Sequence, residues 1–247
     1  MEHLHVRNVV VGAGAMGSAA FYHLARRGEP VLLVEQFRVG HDRGSSHGDA
    51  RIARHSYADE PHARLMLDAF RGWRELEADA GCNLFVRTGG VSFGPPHDDY
   101  VAKVAESLAA VAVPHRRMAG ADLNRAVPAF EVPTDYDVVF EPDAGMLAAS
   151  KIVAAHVALG RDRGGLVRED CPILRIVLDA DRPTLLADGL TIEADRLIVA
   201  AGPWVGRLVP ELAATLRPTR QQVLYLRPAD PSPFAIGRLL LLYPSQS

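Results

Sequence analysis

Gly12-Ala13-Gly14-Ala15-Met16-Gly17 stands between an apolar β-branched run and a helical pattern, and it narrows the fold more than any other feature of the chain. Asn8–Val11 reads as a buried parallel strand. Met16 to Arg27 carries a helical pattern that Gly28 closes, and Pro30–Glu35 is a second buried strand. Strand, glycine turn, helix and strand in this order form the context that dinucleotide binding requires. Gly12 permits the tight turn, and Gly14 lets backbone N–H groups approach a pyrophosphate. Gly17 allows close helix–strand packing, while the helix N-terminus adds partial positive charge. Glu35 ends the second strand about 20 residues on, where a carboxylate accepts from the adenosine ribose hydroxyls. A glycine-rich turn that binds nothing leaves Glu35 unexplained. The fingerprint by itself leaves NAD and FAD open, whereas the acidic Glu35 argues against a 2′-phosphate and so against NADP.

Gly40 to Asp49 is rich in Gly, Ser, His and Asp and reads as a loop. A helix is expected over Asp59–Ala80, ended by Gly81. Paired strands follow in Phe85–Phe93, then a Pro95-Pro96 turn and a helix over Tyr100–Val111. The stretch from Pro114 to Pro142 is punctuated by prolines, with one strand at Tyr136–Glu141. Beyond it come a helix at Ser150–Arg161 and a buried strand at Leu166–Asp170. A β-meander at Ile173–Leu178, Thr184–Ala187 and Leu190–Glu193 precedes a separate buried strand, Arg196–Ala201. Buried parallel strands on both sides of a mixed segment predict a doubly wound α/β domain interrupted by an insertion.

Composition removes several function classes. The formal charge is −3, so neither nucleic acid nor an anionic membrane is an expected partner. Cys82 and Cys171 are the only cysteines, which predicts no disulfide framework and a reducing, cytoplasmic setting. No HExxH or Cys-x-x-Cys occurs, so no metal is expected. Val9 to Ala25 is apolar, yet Glu2 and Arg7 provide no basic leader and glycines interrupt the run. No apolar stretch approaches the ~20 residues that span a bilayer.

The segment Gly44-Ser45-Ser46-His47-Gly48-Asp49-Ala50-Arg51-Ile52-Ala53-Arg54-His55-Ser56-Tyr57 resembles the loop after the second strand in the sarcosine oxidase and N-methyltryptophan oxidase family. These are FAD enzymes of the wider D-amino-acid-oxidase-like group. Thr88-Gly89, Phe93-Gly94-Pro95, Phe140-Glu141-Pro142 with Gly145, Leu197–Gly202 with Trp204, and Arg220-Gln221 before an apolar strand match in order. The resemblance covers essentially the whole chain and favours FAD over NAD.

It implies a Rossmann-like FAD-binding domain over 1–86 and 149–217, interrupted by an α+β substrate domain over 87–148 and 218–247. It implies an oxidase that breaks the C–N bond of N-methyl or other secondary amino acids and reduces O2 to H2O2. By similarity Arg54 takes the substrate carboxylate, and Arg51 and His47 face the isoalloxazine ring. The expected cofactor contacts are Gly12, Gly14, Ala15, Met16, Gly17, Glu35, Gln36, Ser45, Ser46, Arg51, Gly202 and Trp204. His55, His62 and Tyr57 read as structural. In this family the flavin is attached to a cysteine far into the C-terminal half, a place that neither Cys82 nor Cys171 occupies. That cysteine and the oxygen-activating lysine correspond to positions beyond residue 247, so the fold is expected to be incomplete at the C-terminus and the chain to hold FAD weakly. A truncated product, an incomplete gene and a subunit completed by a second chain all stay open, as do an NAD-dependent dehydrogenase and a non-catalytic remnant.

Overall fold

A computed structural model describes residues 2–178, 181–238 and 240–245. Along the chain run β1 (Glu2–Val11), α1 (Ala15–Arg26), β2 (Val31–Val34), β3 (Arg51–Ala53), α2 (Glu60–Ala80), β4 (Phe85–Arg87), β5 (Gly90–Gly94) and α3 (Tyr100–Ala110). Then follow β6 (Arg116–Ala119), α4 (Gly120–Ala126), β7 (Asp137–Glu141), β8 (Gly145–Leu147) and α5 (Ala149–Asp162). The remaining elements are β9 (Leu166–Arg168), β10 (Ile173–Val177), β11 (Thr184–Ala187), β12 (Leu190–Val199), α6 (Val205–Leu208) and β13 (Leu241–Pro244). Two compact units result, Met1–Asp49 with Ala149–Gln222, and Ala50–Ala148 with Val223–Ser247.

The first unit is built on a six-stranded sheet of order β10-β11-β12-β1-β2-β9. Its parallel core draws β1 and β2 from before the interruption and β12 and β9 from after it. Alternation along β1 sends Val10 to one face with Leu33, Phe21 and Val157, where α1 and α5 pack. Val9 and Val11 point to the other face with Leu32, Leu185 and Ile192.

Several expectations need correction. Leu190–Glu193 and Arg196–Ala201 are one continuous strand, β12, that pairs antiparallel with β11 and parallel with β1 along its length. Asp195 and Arg196 interrupt the apolar pattern yet not the ladder, and Asp195 lies 2.9 Å from His5 on the neighbouring strand. The same pairing extends β1 back to Glu2. The strand at Leu166–Asp170 shortens to β9 at the sheet edge, and Leu166 is exposed.

The second unit holds a four-stranded sheet, β13-β5-β7-β6, and a three-stranded sheet, β3-β8-β4. Strands were expected in Phe85–Phe93 as a pair; β4 and β5 form but belong to different sheets, because Gly89, at φ 74, turns the chain between them. Residues 50–86 lie in this unit, since both β3 and β4 pair with β8. Gly145 at the centre of that sheet is obligatory, because a methyl there would overlap the Val86 carbonyl oxygen. Helix α2 begins and ends as its sequence dictates: Asp59 accepts from the His62 N–H, and Gly81 adopts the left-handed conformation. The proline-punctuated stretch contains β6 and α4 as well as β7. The apolar strand expected after Arg220-Gln221 does not form: Val223, Leu224, Tyr225 and Leu226 have no regular structure and are exposed. In the final apolar run Leu239 lies outside the described residues, and β13 pairs in parallel with β5.

His156 gives the first unit a pH dependence. It lies buried on α5, stacked on Tyr22 with its Nδ1 3.2 Å from the Ser18 hydroxyl. Burial, with the nearby His23 charge, pushes it down to about 4 from an ordinary value of 6.5. The folded state therefore favours neutral imidazole, so this contribution is fully present above pH 6.5 and is lost as pH falls toward 4. Between pH 7 and pH 4.5 the unfolding free energy should fall by ~2 kcal/mol more in the parent chain than in His156→Gln. Urea titrations of both proteins at the two pH values measure the difference, and equal losses would remove His156 as the cause.

Candidate functional site

The fingerprint turn is shaped by contacts that side chains would prevent. Gly12 has φ 98, and a methyl there would stand 2.5 Å from the Ala200 carbonyl oxygen at the end of β12. A methyl on Gly17 would overlap the Gly12 carbonyl oxygen, so α1 can start this close to the turn only with glycine there. Gly14 is freer, its added methyl meeting only the Ser46 hydroxyl at 3.2 Å. The N-cap Gly14 offers no side chain, and Ser46 Oγ accepts the Ala15 N–H at 2.9 Å. An acceptor is thus already matched to the electropositive end of α1.

Glu35 is buried and holds two segments together. Its Oε2 accepts the Ala13 N–H at 2.7 Å, and its Oε1 accepts the Phe37 N–H at 3.0 Å. A carboxylate has about four acceptor sites, so capacity remains for ribose hydroxyls. His41, which the sequence did not single out, approaches Oε1 to 3.5 Å through Nε2. The Arg43 N–H donates to His41 Nδ1 at 3.0 Å. That bond places the neutral ring's proton on Nε2, facing the carboxylate. Phe37 meets His41 and Trp204 edge-on, with the Arg43 guanidinium 4.6 Å from its ring centre.

The loop from Gly40 is pinned at its far end, where Ser150 donates to the Gly48 carbonyl from both Oγ and N. His47 Nδ1 bonds the Gly44 carbonyl at 2.6 Å, which fixes its ring to its own loop. These pieces enclose a cavity of about 800 Å³ within the first unit, inside the ~300–1,000 Å³ range of small-molecule sites. Gly12, Gly14, Ala15, Met16, Glu35, Gln36, Ser45, Ser46, His47, Gly202 and Trp204 all line it. Gly17 acts behind the wall through its contact with Gly12. His41, Cys171, Leu174, Ile198 and Arg207 also line it, and burial pushes the Cys171 thiol up. Glycines where backbone must come close, a carboxylate at the strand end and an apolar wall fit an FAD dinucleotide half.

Arg51 and Arg54 belong to the second unit. Arg51 Nη1 donates to the Ala50 carbonyl at 2.7 Å. Half-buried Arg54 lies over two rings, 5.1 Å from the centre of Tyr57 and 4.2 Å from that of Tyr243. Among the described residues no carboxylate forms an ion pair with it. Burial pushes the Tyr243 phenol up, opposed by the Arg54 charge, and its hydroxyl has no partner among the described residues. His55 is bound through Nδ1 to buried Glu141 at 2.6 Å. No cluster of metal-ligating side chains occurs among the described residues, and no described helix is long and apolar enough to cross a membrane.

A family profile described as FAD dependent oxidoreductase (DAO) matches residues 7–244. The chain belongs to the DAO family of FAD dependent oxidoreductases. That decides between the two dinucleotides the fingerprint left open, in favour of FAD. Within the family, monomeric sarcosine oxidase of Bacillus sp. (strain B-0618) is 34% identical over 223 residues, covering 89% of this chain and 57% of that enzyme. N-methyl-L-tryptophan oxidase of Salmonella arizonae is 34% identical over 205 residues, covering 83% and 55%. Among solved structures, NikD, an unusual amino acid oxidase essential for nikkomycin biosynthesis, superposes with a TM-score of 0.74 at 27% identity, covering 85% and 54%. This DAO-family chain thus spans a little more than half the length of the relatives it matches.

The glycine contacts predict opposite outcomes for two similar substitutions. Gly17→Ala should destabilise the chain by ~1–3 kcal/mol through overpacking, whereas Gly14→Ala should cost less than ~1 kcal/mol. Gly14→Val should leave a folded protein that no longer binds FAD. Urea midpoints and flavin fluorescence quenching measure these effects, and equal destabilisation by the two alanines would contradict the assigned contacts.

Proposed function

We propose that the chain forms the FAD-binding half and part of the substrate site of an oxidase acting on N-methyl or other secondary amino acids, with O2 as electron acceptor. The observation that carries the reading is Arg54: half-buried, flanked by two rings and without a carboxylate partner among the described residues. An unpaired guanidinium in a partly dry setting favours an incoming anion, and its planar fork matches a carboxylate bidentately. The sarcosine and N-methyltryptophan oxidases to which the chain is similar are named for amino-acid substrates that carry a carboxylate.

Bound FAD would supply the redox chemistry, by which the C–N bond is oxidised to an imine that water hydrolyses and O2 is reduced to H2O2. Glu35 would hold the adenosine ribose, and the Ala15 N–H with Ser45 and Ser46 the pyrophosphate. Arg51 and His47 are assigned the task of favouring negative charge on the reduced ring. Arg54 anchors the carboxylate and so orients the amine. Tyr57 and Tyr243 hold the guanidinium while excluding water, which strengthens its pull on the anion.

Two measurements test the reading. The chain should quench FAD fluorescence on binding and show no comparable affinity for NAD; binding of NAD alone would overturn the flavin assignment. Arg54→Met should raise the dissociation constant for N-methylglycine about ten- to a hundredfold, the loss of a hydrogen bond to a charged group. Arg54→Lys should recover only part of it, because an ammonium cannot reproduce the fork. Unchanged binding in Arg54→Met would return this arginine to a surface role.

A further inference from the structure

We propose that Glu141, acting with His55, is a positioning residue for Arg54; the inference rests on the carboxylate-binding role assigned to that arginine above. Glu141 ends β7 and is fully buried. Its Oε1 accepts from the His55 N–H at 2.9 Å and from His55 Nδ1 at 2.6 Å. Its Oε2 accepts from the His55 N–H at 3.1 Å and from the Ser56 N–H at 3.0 Å. One carboxylate thus grips the two consecutive backbone N–H groups that follow Arg54.

The residue on the other side of Arg54 is held as well, since Ala53 pairs with Gly145 in the β3–β8 ladder. A further bond from the Tyr57 N–H to the His55 carbonyl, 2.8 Å, closes the turn. Arg54 therefore leaves the backbone at a point fixed from both directions, which sets the line along which its side chain departs. The His55 ring is fixed in turn by stacking on Phe70, with centres 4.0 Å apart and planes 19° apart.

The second consequence is electrostatic. A buried carboxylate is costly unless its lone pairs are filled, and a nearby guanidinium would be the natural donor. Here backbone N–H groups and the His55 ring fill them. Tyr243 feels both the Arg54 and the Glu141 charge, so the two lie in one neighbourhood, yet they form no ion pair. By satisfying Glu141, His55 and Ser56 keep the guanidinium available for a carboxylate from outside. A bond that merely tied β7 to the turn would not require that division of partners.

The full chain suffices for the test, with methoxyacetate as probe, an oxygen-for-nitrogen analogue of N-methylglycine that carries the same carboxylate. Calorimetry gives its dissociation constant. Peptide mass spectrometry gives the rate at which phenylglyoxal modifies Arg54. Glu141→Gln keeps the shape but replaces one acceptor by a donor; it should weaken methoxyacetate binding by about tenfold, as expected for a displaced charged hydrogen bond, and change the phenylglyoxal rate. His55→Phe keeps the stacking but removes the Nδ1 donor, so Arg54 should turn to Glu141, lose methoxyacetate and react more slowly. Val104→Ala, a core truncation in the same unit, controls for stability and should leave both readouts unchanged. Parent-like behaviour of Glu141→Gln and His55→Phe, or changes no larger than those of Val104→Ala, would overturn the inference. If Arg54→Met loses the probe while the other two do not, the positioning role alone falls. If the parent chain itself ignores methoxyacetate, the carboxylate reading falls and the phenylglyoxal rates decide whether Glu141 positions Arg54.

Discussion

The parallel ladder between β1 and β12 is the constraint on which the cofactor half depends. It joins Glu2 to Leu190 at one end and Val11 to Val199 at the other, and its last step is the Ala200 N–H donating to the Val11 carbonyl at 2.8 Å. Both walls of the cavity begin where these strands stop, at Gly12–Ala13 on one side and Ala200–Trp204 on the other. Closing so long a loop costs entropy that grows only slowly with length, while contacts this distant in sequence slow folding. The apolar side chains of β1, β2 and β12 offset that cost by burial on both faces of the sheet.

What could be read from the residues was what local chemistry decides. The glycine turn, α1 and β2 follow one another within a single βαβ unit, and Glu35 stands at the end of its strand, where backbone N–H groups reach it. Asp59 and Gly81 bracket α2 through bonds made inside the helix ends. Features decided by distant partners were not legible. The continuity of β12 across Asp195 and Arg196 depends on β1, and the separation of β4 from β5 depends on β7 and β8. The orientation of His41 toward Glu35 depends on the Arg43 N–H that donates to its Nδ1, a contact set by the folded loop. The bond between His55 and Glu141 joins residues 86 positions apart, a pairing that sequence spacing does not reveal. The apolar run Val223–Leu226 has the composition of a strand, but among the described residues no strand pairs with it.

The two units solve the same electrostatic problem in the same way. Each buries one carboxylate beside a turn that must hold an unusual shape, and each satisfies it largely with backbone N–H groups. Glu35 takes those of Ala13 and Phe37; Glu141 takes those of His55 and Ser56. The charge-assisted bonds stiffen segments that regular secondary structure does not reach. Each carboxylate also has a histidine ring beside it, His41 Nε2 at 3.5 Å from Glu35 and His55 Nδ1 at 2.6 Å from Glu141.

The pairing of Arg51 with Leu147 has a consequence for how such chains diversify. It brings the beginning and the end of residues 50–148 side by side within their own unit. In the other unit Ser150 reaches the Gly48 carbonyl, so the two stubs that receive the segment are also adjacent. A stretch that leaves and returns through neighbouring points can be lengthened, shortened or exchanged with little disturbance to the sheet that carries it. Arg51 and Arg54 travel with the exchangeable stretch, while Glu35 and the glycine turn stay behind. The 50–148 stretch can therefore vary in length and sequence while the glycine turn and Glu35 keep their backbone partners in the other unit.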